Sequence, residues 1–250
     1  MIVFVIGCGR SGTTIIGNCI DEFEEVLYLN EKRRIWNLCF GNLNIWTSNG
    51  SLVANEDHAN FFRMIFLKII FGFLKIIKLK KILVEKLPIN SFRINLLKKI
   101  FPNAKFIFVR RNGLEVANSI EKLHIKKKRW FGNNNHKWLE LKKLLISRKI
   151  NLPENINIRH KGLCEWRLSN LLMDEFLNKE TTQNILEINY SDFVKAPLTS
   201  LSKISFFLKI KEIKNLKHTI ARNSKKLTEK DLLPNDIEVG GKYLKKYMDS

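Results

Sequence analysis

Apolar residues in this chain fall into short unbroken runs that end at glycine, asparagine or charged residues, with longer stretches of helical period between them. Ile2 to Ile6 (IVFVI) is β-branched and aromatic throughout and gives way to Gly7, Gly9 and Gly12, which predicts a buried strand and a tight turn. Runs near 82–85, at 105–109 and at 185–189 predict three more strands. His160 to Lys179 sets Leu163, Trp166, Leu168, Leu171, Leu172, Phe176 and Leu177 on one helical period, and Pro197 opens a further helix that ends near Phe206-Phe207-Leu208. Strands that alternate with helices in this way predict a central parallel sheet covered on both faces, a three-layer α/β/α fold. No repeat and no Pro- or Ser-rich linker divides the 250 residues, so one domain over 1–250 is expected, with a core that needs no disulfide or metal.

Gly7 to Thr14 (GCGRSGTT) spaces its glycines and hydroxyls like the phosphate-cradling motif G-x-x-x-x-G-K-[ST], which makes the fold P-loop-like. Thr13 stands where that motif has lysine, and the positive charge has moved to Arg10. Backbone N–H groups in such a turn and at the following helix start suit a phosphate. A nucleoside-triphosphate enzyme needs the lysine on its β- and γ-phosphates, so this loop is not that of an ATP–magnesium site. A second phosphate site is predicted at 104–120 (AKFIFVRRNGLEVANSI). There a strand over 105–109 turns at Arg111-Asn112-Gly113 into a helix, and Ser119 lies eight residues after Arg111. A guanidinium and a hydroxyl brought together at the strand end can hold a phosphate, the guanidinium by two parallel bonds. Arg110 has the less suitable spacing, and an ordinary strand–turn–helix with surface arginines is the alternative.

These two segments resemble the sulfotransferases that use 3′-phosphoadenosine 5′-phosphosulfate (PAPS). Gly-x-x-Arg-Ser-Gly-Thr-Thr resembles their 5′-phosphosulfate loop, and Arg111 with Ser119 resembles their 3′-phosphate site. Asn112-Gly113 stands where many members carry Asp-Gly or Asn-Pro. Lys86-x-Pro88 with the later Phe101-Pro102, and Leu29-Asn30-Glu31-Lys32-Arg33 upstream, are similar to segments of tyrosylprotein sulfotransferases and their bacterial relatives. The resemblance implies Gly9, Arg10, Ser11, Gly12, Thr13, Thr14, Arg111, Ser119 and Tyr190 around PAPS or its product PAP. It implies Glu31 as the base that activates the acceptor. It also implies a late basic residue on the cofactor, for which Lys225 and Lys226 are candidates.

Sulfuryl transfer requires removal of the acceptor proton and stabilisation of charge on the leaving oxygen. Glu31 suits the first task, with burial raising its pKa. Lys86 and Arg10 suit the second, and no metal is implied. Simpler roles stand beside these: Glu31 in a surface ion cluster with Lys32 or Arg33, Lys86 as a solvated lysine, Tyr190 as a core tyrosine. His124 or His136 could supply a base, but the five histidines have no partners at metal-ligand spacing. Cys8, Cys19, Cys39 and Cys164 show no paired spacing and read as free thiols.

The net charge of +20 draws the chain toward polyanions, yet its lysines are spread along the whole length without a nucleic-acid motif. Nucleic acid is therefore set aside in favour of a small-molecule, glycan or lipid-linked acceptor. Residues 61–84 are apolar but broken by Arg63, Lys68, Lys75 and Lys78, so they form no spanning segment. They read as a core helix or as a basic helix lying on an anionic membrane surface. With a strand at the very start of the chain, a cytoplasmic protein is expected. The reading is thus a sulfotransferase that moves a sulfuryl group from PAPS to a hydroxyl or amine. A P-loop nucleotide kinase, or a non-catalytic PAP-binding or membrane-surface protein, are the alternatives.

Overall fold

The computed structural model describes residues 1–40, 60–127, 130–132, 135–180, 182–218, 220 and 226–248. Five parallel strands form one sheet in the order β2-β3-β1-β4-β5. They are β1 (Ile2–Ile6), β2 (Val26–Asn30), β3 (Ile82–Lys86), β4 (Lys105–Arg110) and β5 (Ile185–Asn189). The four predicted strands are all present. The fifth, β2, was not predicted, because its four apolar residues between acidic and basic neighbours fit a helical turn as well as a strand. Pairing with β3 decides its state.

Side-chain alternation along the strands divides the core into two halves. Phe4, Ile6, Leu83, Phe106 and Phe108 face one side. There they pack under α2 (Arg33–Phe40), α3 (Phe61–Ile77), α4 (Ile94–Ile100), α5 (Gly113–Lys127), α6 (His136–Ser147), α7 (Ile158–Leu177) and α10 (Asp236–Lys246). Val3, Val5, Val84, Ile107 and Val109 face the other side, under α1 (Thr13–Ile20), α8 (Tyr190–Lys195) and α9 (Pro197–Leu208). The result is the expected three-layer α/β/α arrangement. Phe4 stacks on Phe106 with ring centroids 5.8 Å apart, and full burial of each such ring contributes roughly 1.5–3 kcal/mol.

From central β1 the chain passes through α1 to β2 on one side of the sheet, and later from β3 to β4 on the other. The turns after β1 and β4 therefore open at a crevice beyond the strand ends, where ligands of such sheets bind. The C-terminal segment is tied to this crevice. The Asn112 amide donates to the carbonyls of Leu227 (3.0 Å) and Met248 (2.5 Å).

The segment 61–84 divides into α3 and β3. Asn60 caps α3 by accepting the Arg63 N–H at 2.9 Å. Leu67 and Phe71 point inward, where Trp36 of α2 meets Phe71 edge-on at 6.4 Å. No described helix is long and apolar enough to cross a membrane.

Candidate active site

After β1, the Ser11 N–H donates to the Cys8 carbonyl (3.1 Å), and Arg10 and Gly12 take left-handed φ values of 73° and 92°. Helix α1 starts at Thr13 with Gly12 at its N-cap, and no side chain caps it. The first N–H groups of a helix have no partner inside it and carry partial positive charge, so this end is built to receive an anion. Glycine at position 12 serves a second need: a Cβ there would lie 2.1 Å from Tyr190 Cδ2. At Gly9 a Cβ would lie 2.7 Å from the Trp130 ring. The loop is thus clasped between two aromatic side chains from distant parts of the chain.

Arg111 and Ser119 both meet this loop. Arg10 Nε donates to Ser119 Oγ at 3.1 Å, and Arg111 Nη1 donates to the Arg10 carbonyl at 2.8 Å. The Arg111 guanidinium lies 4.3 Å from the Tyr190 ring centroid and is fixed by Glu115 Oε2, with bonds of 3.1 Å from Nε and 2.9 Å from Nη2. Glu115 is a site neighbour that sequence reasoning missed; its spacing of four from Arg111 on α5 was the available signal. Arg110 turns elsewhere, to Glu187 (2.7 Å), Asp174 (2.5 Å) and Asn170 (2.9 Å), where it ties β4 to β5 and α7.

Glu31 follows β2 with a left-handed φ of 50°, and its N–H donates to the Lys86 carbonyl at 2.8 Å. Its carboxylate bridges two cations: Oε1 accepts from Lys86 Nζ at 2.6 Å and Oε2 from Arg33 at 3.2 Å. The burial expected of Glu31 belongs instead to its partner, since Glu31 is 37% exposed and the Lys86 side chain only 1%. The strand ends here while the carboxylate must reach outward past the sheet, which leaves it at the rim. Lys86 is accordingly not a solvated lysine. Burial pushes its pKa down, with Glu31 opposing the shift. The ion pair of Glu31 with Arg33, the simpler role that the sequence set beside catalysis, is also present. The next wall is the turn Pro88–Phe92, held from below by the buried Glu85. Its carboxylate accepts from Trp36 Nε1 (2.9 Å) and from Asn90 (2.5 Å), and burial raises its pKa.

A cleft of about 540 Å³, open to solvent, joins these groups. Gly9, Arg10, Thr13 and Thr14 line one side and Glu31, Arg33 and Lys86 another. The far wall was not foreseen: Trp130, Lys137 and Glu165. Lys137 Nζ meets Glu165 Oε1 at 2.6 Å with both side chains almost fully buried, and Trp130 Nε1 donates to Glu165 Oε2 at 2.8 Å. A carboxylate between the buried Cys164 and Trp166 of α7 was the one signal in the sequence. Ser11 is buried under the loop, and Arg111, Ser119 and Tyr190 stand beyond Arg10 rather than in the cleft lining. Neither His124 nor His136 lines the cleft. Lys226 is exposed, and Lys225 lies outside the described residues. The four cysteines are free and buried, and burial pushes the Cys8 thiol pKa well up.

The profile of the sulfotransferase family matches residues 3–213. No curated protein sequence matches the chain. Among solved structures, it is similar to the sulfotransferase domain from the curacin biosynthetic pathway, with a TM-score of 0.57 and 18% identity over 85% of this chain and 75% of that one. The sulfotransferase domain of the Synechococcus PCC 7002 olefin synthase gives 0.58 and 16%, over 85% and 74%. A sulfotransferase from Alicyclobacillus acidocaldarius gives 0.54 and 12%, over 98% and 91%. These likenesses establish the fold, and the family match spans the strand ends, the two arginine turns and the Glu31–Lys86 pair, so the chain belongs to the sulfotransferase family of sulfuryl-transferring enzymes.

Proposed function

We propose that the protein uses PAPS as donor and transfers its sulfuryl group to a hydroxyl or amine held in the cleft beside Glu31. One observation carries the reading: Arg10 is bonded to Ser119 and, through its carbonyl, to Arg111, immediately beside an uncapped helix start. Two cationic groups and a row of backbone N–H donors fit a nucleotide with a phosphate at each end better than a triphosphate chain with magnesium. The Tyr190 ring, over Gly12 and Arg111, closes that side.

In this reading Gly9, Ser11, Gly12, Thr13 and Thr14 hold the 5′-phosphosulfate, and Arg111 with Ser119 holds the 3′-phosphate. Glu31 takes the acceptor proton as the acceptor oxygen or nitrogen bonds to sulfur. The bond from sulfur to the bridging oxygen breaks, and its electron pair stays on the departing phosphate of PAP. Lys86 and Arg10 offset the charge that grows there, inside a partly closed cleft where such an interaction exceeds its value in water. Pro88, Ile89, Phe92 and Trp130 give the acceptor an apolar wall. That wall supports an acceptor with a ring or hydrocarbon portion, as a small molecule, glycan or lipid-linked compound.

Thermal stabilisation by PAP, with ADP and Mg-ATP as controls, tests the donor assignment, since a ligand of the native state raises stability as RT ln(1 + [L]/Kd). PAP alone should raise Tm, and Arg111→Ala should lose most of that gain while responding almost unchanged to an analogue without the 3′-phosphate. A response to Mg-ATP and not to PAP would replace this reading with a phosphoryl transferase. No response to any of them would leave a protein that does not bind the donor.

A further inference from the structure

Helix α3 is apolar on both sides. Leu67 and Phe71 face the core, while Phe62, Ile65, Phe66, Ile69, Phe73 and Ile76 form a continuous stripe on the opposite side. That stripe is open to solvent: Phe62 is 80% exposed and Ile76 72%. It runs on into Leu79, which follows the helix and is exposed as well. A helix that is hydrophobic all round is normally covered on every side, and soluble proteins seldom leave a patch of this extent bare.

The charges around the stripe identify what covers it. Lys68 is exposed beside it, Lys78 and Lys81 are exposed beyond its C-terminal end, and no Asp or Glu occurs from Asn60 to Val84. The Arg63 guanidinium lies over the Phe40 ring, at 5.8 Å from its centroid. Against a second copy of this chain, a two-fold contact through the same stripe would set lysine flanks against lysine flanks, which opposes association. An anionic bilayer offers what the helix lacks on both counts: hydrocarbon for the phenylalanines and isoleucines, and phosphate for the lysines.

We infer that α3 is a membrane-docking element: it lies in the interface of an anionic phospholipid surface, with Phe62, Phe66, Ile69, Phe73 and Ile76 in the acyl boundary and Lys68 and Lys78 at the headgroups. α3 packs on α2, and α2 starts at Arg33, the partner of Glu31. A docked α3 therefore holds the acceptor cleft one helix away from the bilayer. The inference stands on the surface of α3 alone and does not rest on the donor assignment.

Flotation of the full chain with vesicles tests it. Vesicles of phosphatidylcholine mixed with phosphatidylglycerol should carry the protein upward, and pure phosphatidylcholine should carry far less. The charge of +20 would draw the chain to any anionic surface, so the deciding variant leaves charge unchanged. Phe62→Ser/Phe66→Ser/Phe73→Ser should weaken partitioning by about tenfold or more, and Lys68→Glu/Lys78→Glu should weaken it as well. All of these side chains are exposed, so circular dichroism and the thermal response to PAP should be those of the parent protein. Absence of wild-type flotation would overturn the inference. Equal flotation of the serine variant would also do so, because it would reduce binding to bulk charge. A wild-type dimer that the serine variant converts to monomer, without flotation, would assign the face to a second copy and overturn it too.

Discussion

Glu31 Oε1 stands 2.6 Å from Lys86 Nζ, and the two residues reach this contact from neighbouring parallel strands. The register that sets Asn30 beside Lys86 leaves Glu31 one residue past the end of β2. A left-handed φ of 50° then turns the chain there, at a cost on the order of 1 kcal/mol for a residue with a side chain. The fold thereby holds an outward carboxylate against an inward ammonium at the mouth of the cleft. In the proposed mechanism the buried partner supplies charge and the accessible one meets the acceptor.

Glu31→Gln removes the proposed proton acceptor while the amide oxygen can still accept from Lys86. Turnover should fall by about 10²–10⁴-fold, the usual worth of a positioned base. The dissociation constant for PAP should stay within about threefold of the parent value, since the amide oxygen keeps the contact with Lys86 and Glu31 is bonded to none of the loop residues, Arg111 or Ser119. Steady-state kinetics beside PAP titration checks this. Turnover within a few fold of the parent would remove Glu31 from the chemistry.

Lys86 gives the site a pH dependence with a defined sign. Burial favours its neutral amine and is only partly opposed by Glu31, so its pKa lies below the ordinary 10.5. Turnover should fall as pH rises through that lowered value, because the cation is lost. Stability should move the other way. In the window between the lowered value and 10.5 the unfolded chain binds the extra proton, so this residue's contribution to stability rises with pH. Lys86→Arg should shift the alkaline limb of the rate profile upward, and Lys86→Met should remove the stability slope. An alkaline limb unmoved by Lys86→Arg would assign that limb to another group.

The two arginine turns and four of the five strands could be read from the sequence because each is local. Glycine spacing, β-branched runs and the eight-residue step from Arg111 to Ser119 depend on chain geometry within a few turns. The far wall of the cleft was not legible for the opposite reason. Trp130, Lys137 and Glu165 come together only when α6 and α7 pack, and Lys137 and Glu165 are 28 residues apart. Glu31 lay between these cases: its position could be placed, but its exposure depends on where β2 stops against β3. The outward face of α3 shows in the sequence as apolar residues between lysines, yet only the packing of Leu67 and Phe71 reveals which side remains open.

The Lys137–Glu165 pair yields a stability prediction. Its atoms are 2.6 Å apart and its side chains 2% and 3% exposed, so removal of either charge strands the other in a poorly solvated site. Lys137→Met and Glu165→Gln should each cost about 3–5 kcal/mol, the usual penalty for an uncompensated buried charge. Glutamine at position 165 can still accept the Trp130 Nε1–H bond, so that contact does not confuse the comparison. The double variant carries no buried charge and should be more stable than either single variant. Urea denaturation of all four proteins measures the coupling directly. Strictly additive losses would mean that the pair is not coupled, and that the far wall is held by Trp130 and its packing over Gly9 instead.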